Sequence, residues 1–213
     1  MISPIFTTIV ISFLIILIYL KRTTNTFNIG EKALHDKEIQ ANNTRKQSLA
    51  ELSYINIPLD KLPFNAVNDN PEIENIEAAI KDISNKKIVN FTGITNTDLK
   101  LTYGVANLPI LTEYDQNFTA LVSSLNTWGN LLLANKLTAD AKCVLEYAVD
   151  IGSDIKSTYD NLADIYVANF EFDKIDILTE KANNLNSLMK NPIINSLNEK
   201  SDINRFVSSN ESN

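Results

Sequence analysis

Residues Trp128–Asp150 read WGNLLLANKLTADAKCVLEYAVD, and residues Leu162–Asn184 read LADIYVANFEFDKIDILTEKANN. Each stretch carries large apolar residues at helical spacing, then a polar break, then a second helical run. Apolar positions 118, 121, 122, 125, 128, 132 and 133 form one stripe, and 141, 144, 145, 148 and 149 form another. Leu162, Ile165, Tyr166 and Val167 mark a third, and Ile175, Leu178, Ala182 and Leu185 a fourth. Breaks at Asn135–Thr138, Gly152–Lys156 and Asn169–Phe172 separate them. Small residues at Gly129, Ala141, Ala148, Ala163 and Ala182 allow paired helices to approach, while Trp128, Leu132, Tyr159, Leu162 and Tyr166 fill the space between them. The pattern predicts an all-α chain of helical hairpins running from Thr112 to about Leu188. Asn191-Pro192 then opens a short last helix over 192–199, and 201–213 is predicted to be a disordered tail.

Upstream of these hairpins, Asn70 and Pro71 are placed to cap and start a helix. Glu72 and Glu74 stand at its positive end, Ile73, Ile76, Ile80 and Ile83 on one face, and Lys86 and Lys87 in its last turn. Residues 88–109 read as a connector with Gly93, Gly104 and Pro109, with room for a short helix around Asp98–Tyr103. Residues 51–69 hold two prolines and alternating apolar side chains, which predicts an extended strap. Tyr54, Ile55, Ile57, Leu59, Leu62 and Phe64 of this strap need burial against the helices. Residues 23–50 are polar and mixed in charge, with a weak apolar stripe, and read as a partly helical stalk.

The chain begins with ISPIFTTIVISFLIILIYL over Ile2–Leu20, which contains no charged side chain. Its length approaches the roughly 20 residues a helix needs to cross about 30 Å of hydrocarbon. Tyr19 falls at interface depth, and Lys21–Arg22 are placed to snorkel into headgroups. The start lacks a basic residue and the end lacks a small-x-small cleavage pattern, so the segment reads as an uncleaved anchor over 1–22. Lys21, Arg22, Lys32 and Lys37 follow the span and no basic side chain precedes it. Positive charge stays on the cytoplasmic side, so the expected location is the cell membrane, single-pass, with the C-terminal domain cytoplasmic.

Charge and composition exclude several chemistries. Setting Lys21 and Arg22 apart from the 19 basic residues leaves 17 from Thr23 onward against 26 acidic ones, the wrong balance for a nucleic-acid binder. The single Cys143 excludes an internal disulfide or a thiolate zinc site. The single His35 excludes any site that needs two histidines, and with no partner residue near it in sequence it reads as a surface side chain. No Walker or G-x-G-x-x-G pattern occurs, and no cofactor is expected. Carboxylates alone remain as acid/base candidates. Asp150 with Asp154, and Asp160 with Asp164, lie at i,i+4, a spacing more typical of a solvated acidic face than of a desolvated catalytic pair. Cys143 reads as a small core residue.

The interval from Trp128 to Leu162, and the residues around both, resemble the tetratricopeptide repeat family, whose period is about 34 residues. Leu125, Trp128, Gly129 and Leu132 match the large-x-x-large-small-x-x-large pattern of that family's first helix, and Ala141, Leu145 and Ala148 the small-large-small pattern of its second. In the next unit Tyr159, Leu162, Ala163, Tyr166 and Ala182 match. Ile175 and Thr179 depart from the pattern, and neither unit has a closing proline. The layout is also similar to that of single-span, membrane-anchored bacterial members. The resemblance implies a domain over 70–200, with repeats at about 122–155 and 156–189, that presents a concave groove lined by first helices. The groove-facing positions it implies are Ser123, Asn126, Asn130, Leu133 and Ala134, then Ser157, Asp160, Asp164, Val167 and Ala168. Of these, Asn126 and Asn130 would hydrogen-bond a peptide backbone, and Asp160 and Asp164 would pair with Lys or Arg of a protein partner. The basic clamp by which some members hold a carboxylate terminus is missing. The expectation is a membrane-tethered scaffold or assembly factor without catalytic activity, embedded in the lipid bilayer through 2–20. Two other readings stand beside it: an acidic-site enzyme acting on envelope glycans, and a structural protein that self-associates through its span.

Overall fold

The computed structural model describes residues 4–67 and 69–210, without the side chains of 4–10, 23–30 and 202–210. All regular structure among the described residues is helical: α1 (Pro4–Asn42), α2 (Pro71–Ser84), α3 (Asn96–Tyr103), a 3-10 turn (Val105–Asn107), α4 (Leu108–Ala134), α5 (Thr138–Asp150), α6 (Lys156–Ala168), α7 (Phe172–Asn183) and α8 (Lys190–Asn210). The chain divides into two compact units, one of Met1–Ser48 with Thr95–Leu108 and one of Leu49–Ile94 with Pro109–Asn213.

In the first unit, the predicted anchor from Pro4 onward and the predicted stalk as far as Asn42 are a single uninterrupted helix, α1, whereas 43–50 are not helical. Every described side chain from Ile11 to Leu20 is exposed. Among the described residues no helix is long and apolar enough to cross a membrane. The predicted span 2–20 lies partly outside the described residues, because 1–3 are not described and 4–10 only as backbone. The far end of α1 grips α3. Lys37 Nζ lies 2.7 Å from Asp98, Lys100 pairs with Glu38, Thr97 Oγ1 donates to Glu38 at 2.7 Å, and Ala41 is fully buried. The Lys100 ammonium beside Glu38 holds that carboxyl below its usual range, and Lys37 does the same for Asp98. Gly104 has φ +86, and a Cβ there would meet the Arg45 carbonyl oxygen at 2.4 Å, so only glycine fits this close approach.

The second unit contains the hairpins. Asn70 caps α2 by accepting from the backbone N–H of Glu72 (3.1 Å) and Ile73 (3.3 Å). The helix stops at Ser84, before Lys86 and Lys87. Lys86 instead pairs back to Asp82 at 2.6 Å, and Lys87 lies 5.1 Å over the Tyr54 ring. The strap packs as predicted at Leu62, Ile55, Ile57 and Phe64, whereas Leu59 stays exposed. Phe64 packs on Trp128 with ring centroids 4.9 Å apart. Helix side chains hold the strap backbone: Tyr147 Oη donates to the Asn56 carbonyl (3.3 Å), and the buried Glu77 carboxylate accepts from the Asn65 N–H (3.0 Å). The stretch after α2 is more than a connector, because Ile88, Val89 and Phe91 are buried. Its backbone ties to α4 through Val89 N–H to Tyr114 O and Phe91 N–H to Asp115 Oδ1.

The interval between Trp128 and Leu162 recurs in the backbone. It is also the interval from the start of α5 at Thr138 to that of α7 at Phe172, and from the start of α6 at Lys156 to that of α8 at Lys190. The turn after α4 is closed by Lys136 N–H to Leu133 O and Leu137 N–H to Leu132 O, both 2.9 Å. The turn after α6 is closed by Phe170 N–H to Val167 O (3.1 Å) and Glu171 N–H to Tyr166 O (2.8 Å). The same interval carries each bond onto its counterpart. Both turns are Schellman motifs with a non-glycine residue in the left-handed region, Lys136 at φ 63 and Phe170 at φ 59. The next turns also correspond: Ser153 Oγ accepts from Ile155 N–H, and Ser187 Oγ from Met189 N–H. Trp128 and Leu162 are both buried in the one core, as are Leu125, Tyr159 and Ile193, and Gly129, Ala163 and Leu197. The last helix departs from its predicted 192–199 extent and from the predicted 201–213 tail. It starts at Lys190 and runs to Asn210, because Ser201–Asn210 contains neither proline nor glycine to stop it. Residues 211–213 lie outside the described residues.

Candidate protein-interaction face

α6 packs against α5, α7 and α8, so the C-terminal half of α4, then α6, then α8 form a row of first helices. Their apolar faces turn inward and leave one polar or half-buried strip on each. The groove positions named from the sequence fall on this strip. Ser123, Asn130, Ala134, Asp164 and Ala168 are exposed, and Asn126, Leu133, Ser157, Asp160 and Val167 are half-buried.

The four key side chains are brought together in a ladder that crosses from helix to helix. Asn126 Oδ1 accepts from Ser157 Oγ (2.8 Å) and Thr158 Oγ1 (3.0 Å), joining α4 to α6. Asn130 Oδ1 accepts from Asn161 Nδ2 at 2.5 Å. Asp160 receives Lys156 Nζ at 2.6 Å on one oxygen and Ser196 Oγ at 2.7 Å on the other, joining α6 to α8. Asp164 pairs with Lys200. Both aspartates therefore already hold a lysine of this chain, whereas the resemblance assigns them to a partner's cations. The two asparagines use their oxygens internally, and their amide nitrogens can act only as donors. Lys156, Ser196, Lys200 and Asn161 belong to the ladder but carry no sequence signal that names them as site residues. The Lys156–Asp160 pair was available from i,i+4 spacing, but the α6-to-α8 pairs required knowing that α8 repeats α6.

The remaining candidates are dispersed. Asp150 pairs with Lys181 at 2.5 Å and Asp154 accepts from Ser187 Oγ at 2.5 Å, so the two i,i+4 carboxylate pairs have separate partners at every member. No group of three or more His, Cys, Asp or Glu placed to hold a metal ion occurs among the described residues. His35 is exposed on α1. Cys143 is half-buried, and its thiol donates to the Lys61 carbonyl of the strap at 3.4 Å. Burial pushes that thiol up, helped by Glu146 and Asp140 nearby.

Between α5, α6 and α7, a cleft of about 230 Å³ is lined by Glu146, Tyr166, Lys174, Ile177 and Lys181. A charged network braces it. Lys142 Nζ lies 2.6 Å from Glu171, Lys174 Nζ 3.2 Å from Glu171, and Tyr166 Oη donates to Glu146 at 2.8 Å. Burial, with the bond to Glu146, drives the Tyr166 hydroxyl well above the ordinary phenol range. The network ties α5, α6 and α7 together and leaves its charges mutually satisfied.

Comparison of the chain with family models, with curated proteins and with solved structures gives no match.

Proposed function

We propose that the chain is a membrane-anchored scaffold of tetratricopeptide-like hairpins that binds an extended segment of another protein along its first helices. The observation that carries this reading is the recurrence, one repeat on, of the same turn hydrogen bonds and the same buried positions. A stack of this kind leaves one row of helices free to line a binding surface. The amide nitrogens of Asn126 and Asn130, as donors, suit it to peptide carbonyls. At i,i+4 the two side chains stand about 6 Å apart along the helix axis. That is close to the roughly 6.6 Å between alternate carbonyls of an extended chain. What supports the anchor is the charge-free stretch 2–20, followed at once by Lys21 and Arg22, and the exposure of every described apolar side chain from Ile11 to Leu20. Tethering raises the local concentration near membrane partners, so a modest groove suffices. The basic flank directs the domain to the cytoplasmic side.

A photo-crosslinking residue placed at Ser123 in the native cell tests the reading. The expected result is a discrete protein adduct when Asn126 and Asn130 are intact, and its disappearance once Asn126→Ala and Asn130→Ala are added. Adducts only from probes on α7, with none from Ser123, would overturn the groove assignment.

A further inference from the structure

We propose that α1 is a spacer that holds α3 at a fixed height, about 25 Å above the edge of the hydrocarbon at the helical rise per residue. The inference rests on the anchor reading, and it concerns the first unit alone. Two facts about α1 combine. Its apolar stretch ends at Leu20 and its first charges are Lys21 and Arg22, which fixes where the helix leaves hydrocarbon. The same helix then runs without interruption to Asn42. At ~1.5 Å per residue, Glu38 stands about 25 Å along the axis beyond Lys21.

At that height the helix is clamped. Glu38 receives Thr97 Oγ1 and Lys100 Nζ, Lys37 pairs with Asp98, and Lys100 Nζ also donates to Asn42 Oδ1 at 3.0 Å. Beyond the helix end, Gln47 N–H donates to the Tyr103 carbonyl at 2.9 Å. Asn107, itself buried, donates from Nδ2 to Gln47 O (2.8 Å) and Tyr103 O (2.7 Å). The clamp thus holds both the last turns of α1 and the chain that follows them. By contrast, the side chains of 31–36 are exposed. The clamping contacts of α1 with α3 lie between Lys37 and Asn42, and a clamp at that end is what a strut requires. A flexible tether would need none of it. A partner that reaches the α3 shoulder must therefore stand at about the same height, about 25 Å from the edge of the hydrocarbon.

The test uses the full chain in vesicles of phosphatidylcholine with a minor share of phosphatidylglycerol. A fluorophore at Thr102, exposed on α3, reports distance to a headgroup acceptor by energy transfer. Removing 23–29 shortens α1 by about 10 Å while turning it only ~20°. The expected result is a label nearer the surface by about 10 Å, and duplicating 23–29 moves it outward by the same amount. Glu38→Ala with Lys100→Ala is expected to broaden the distance distribution without moving vesicle binding. An unchanged distance in both length variants, with vesicle binding and Trp128 emission intact, would overturn the spacer. Failure of the parent chain to float with vesicles would instead overturn the anchor on which the spacer rests.

Discussion

Lys136 and Phe170 are both held at positive φ, at the same step of successive turns. For a residue with a Cβ this region costs roughly 1–2 kcal/mol. The two side chains offset that cost unequally. Both are exposed, but Phe170 also has an edge-on contact with Phe172 at 6.2 Å. Lys136→Gly is therefore expected to stabilise the protein by about 1 kcal/mol, and Phe170→Gly by less, because it forfeits the ring contact. Thermal melts of the two variants check both the sign and the order. A second residue-scale case is Glu77, whose carboxylate is 4% exposed and accepts the Asn65 N–H. Glu77→Ala removes the charged acceptor of that N–H, and a loss of about 1–3 kcal/mol in denaturant unfolding is the expected result. Neither the two positive-φ residues nor the Glu77 contact was legible in the sequence. Non-glycine Schellman turns carry no residue signature, and although Glu77 falls between Ile73 and Ile80 on the apolar face of α2, its spacing does not name the strap N–H it accepts.

At the scale of elements, Gly129 on α4 lies hard against Leu145 on α5. A Cβ at Gly129 would lie 2.6 Å from Leu145 Cδ2. Leu145 is fully buried, so Gly129→Ala forces repacking and is expected to cost about 1–3 kcal/mol. The equivalent positions in the next hairpin are Ala163 and Thr179, a larger residue facing a smaller one. Gly129→Ala combined with Leu145→Val should therefore recover part of the loss, and unfolding of the double variant measures how much. The clamp of Lys142 on Glu171 links α5 to the start of α7 and has a pH signature. The Lys142 hydrogen bond holds the Glu171 carboxyl below its usual range, against some opposing desolvation. Its contribution is present above the unfolded glutamate pKa of about 4.3 and disappears as pH falls through the lower folded value. The difference in Tm between the parent and Glu171→Gln should be constant from pH 8 to 5 and shrink below about 4. The helix boundaries of this region were the most legible part of the chain, since polar breaks at 135, 152 and 169 stand between strong stripes. The extent of α1 and α8 was not, because their polar stretches contain neither a hydrophobic pattern that demands helix nor a residue that forbids it.

For the molecule as a whole, the all-helical architecture and the recurring interval were readable from the stretches at Trp128 and Leu162. The partners of the predicted groove residues were not. Asp160 and Asp164 face lysines that come from one turn earlier and from the next first helix, and sequence alone assigns no register between α6 and α8. That register also decides which mutations are informative. Asp160→Lys with Asp164→Lys sets new cations beside Lys156 and Lys200, so it is expected to lower stability before it reports on any partner. Asn126→Ala with Asn130→Ala adds no charge to the ladder but takes the Asn126 acceptor from the buried Thr158 hydroxyl, so thermal unfolding is the control on each pair.

The turn bonds after α4 and after α6 are both made wholly within the residues on either side of the turn. A length of chain from Thr138 to Glu171 is thus bounded by two interchangeable joints. Copying that length in tandem would join Glu171 to a new Thr138 with every local bond already specified. The joint is extensible, but a second Leu145 would then face Ala163 in place of Gly129, so a chain lengthened in this way should gain a proportionate amount of helical circular dichroism and keep its stability only when the added Leu145 is also reduced in size.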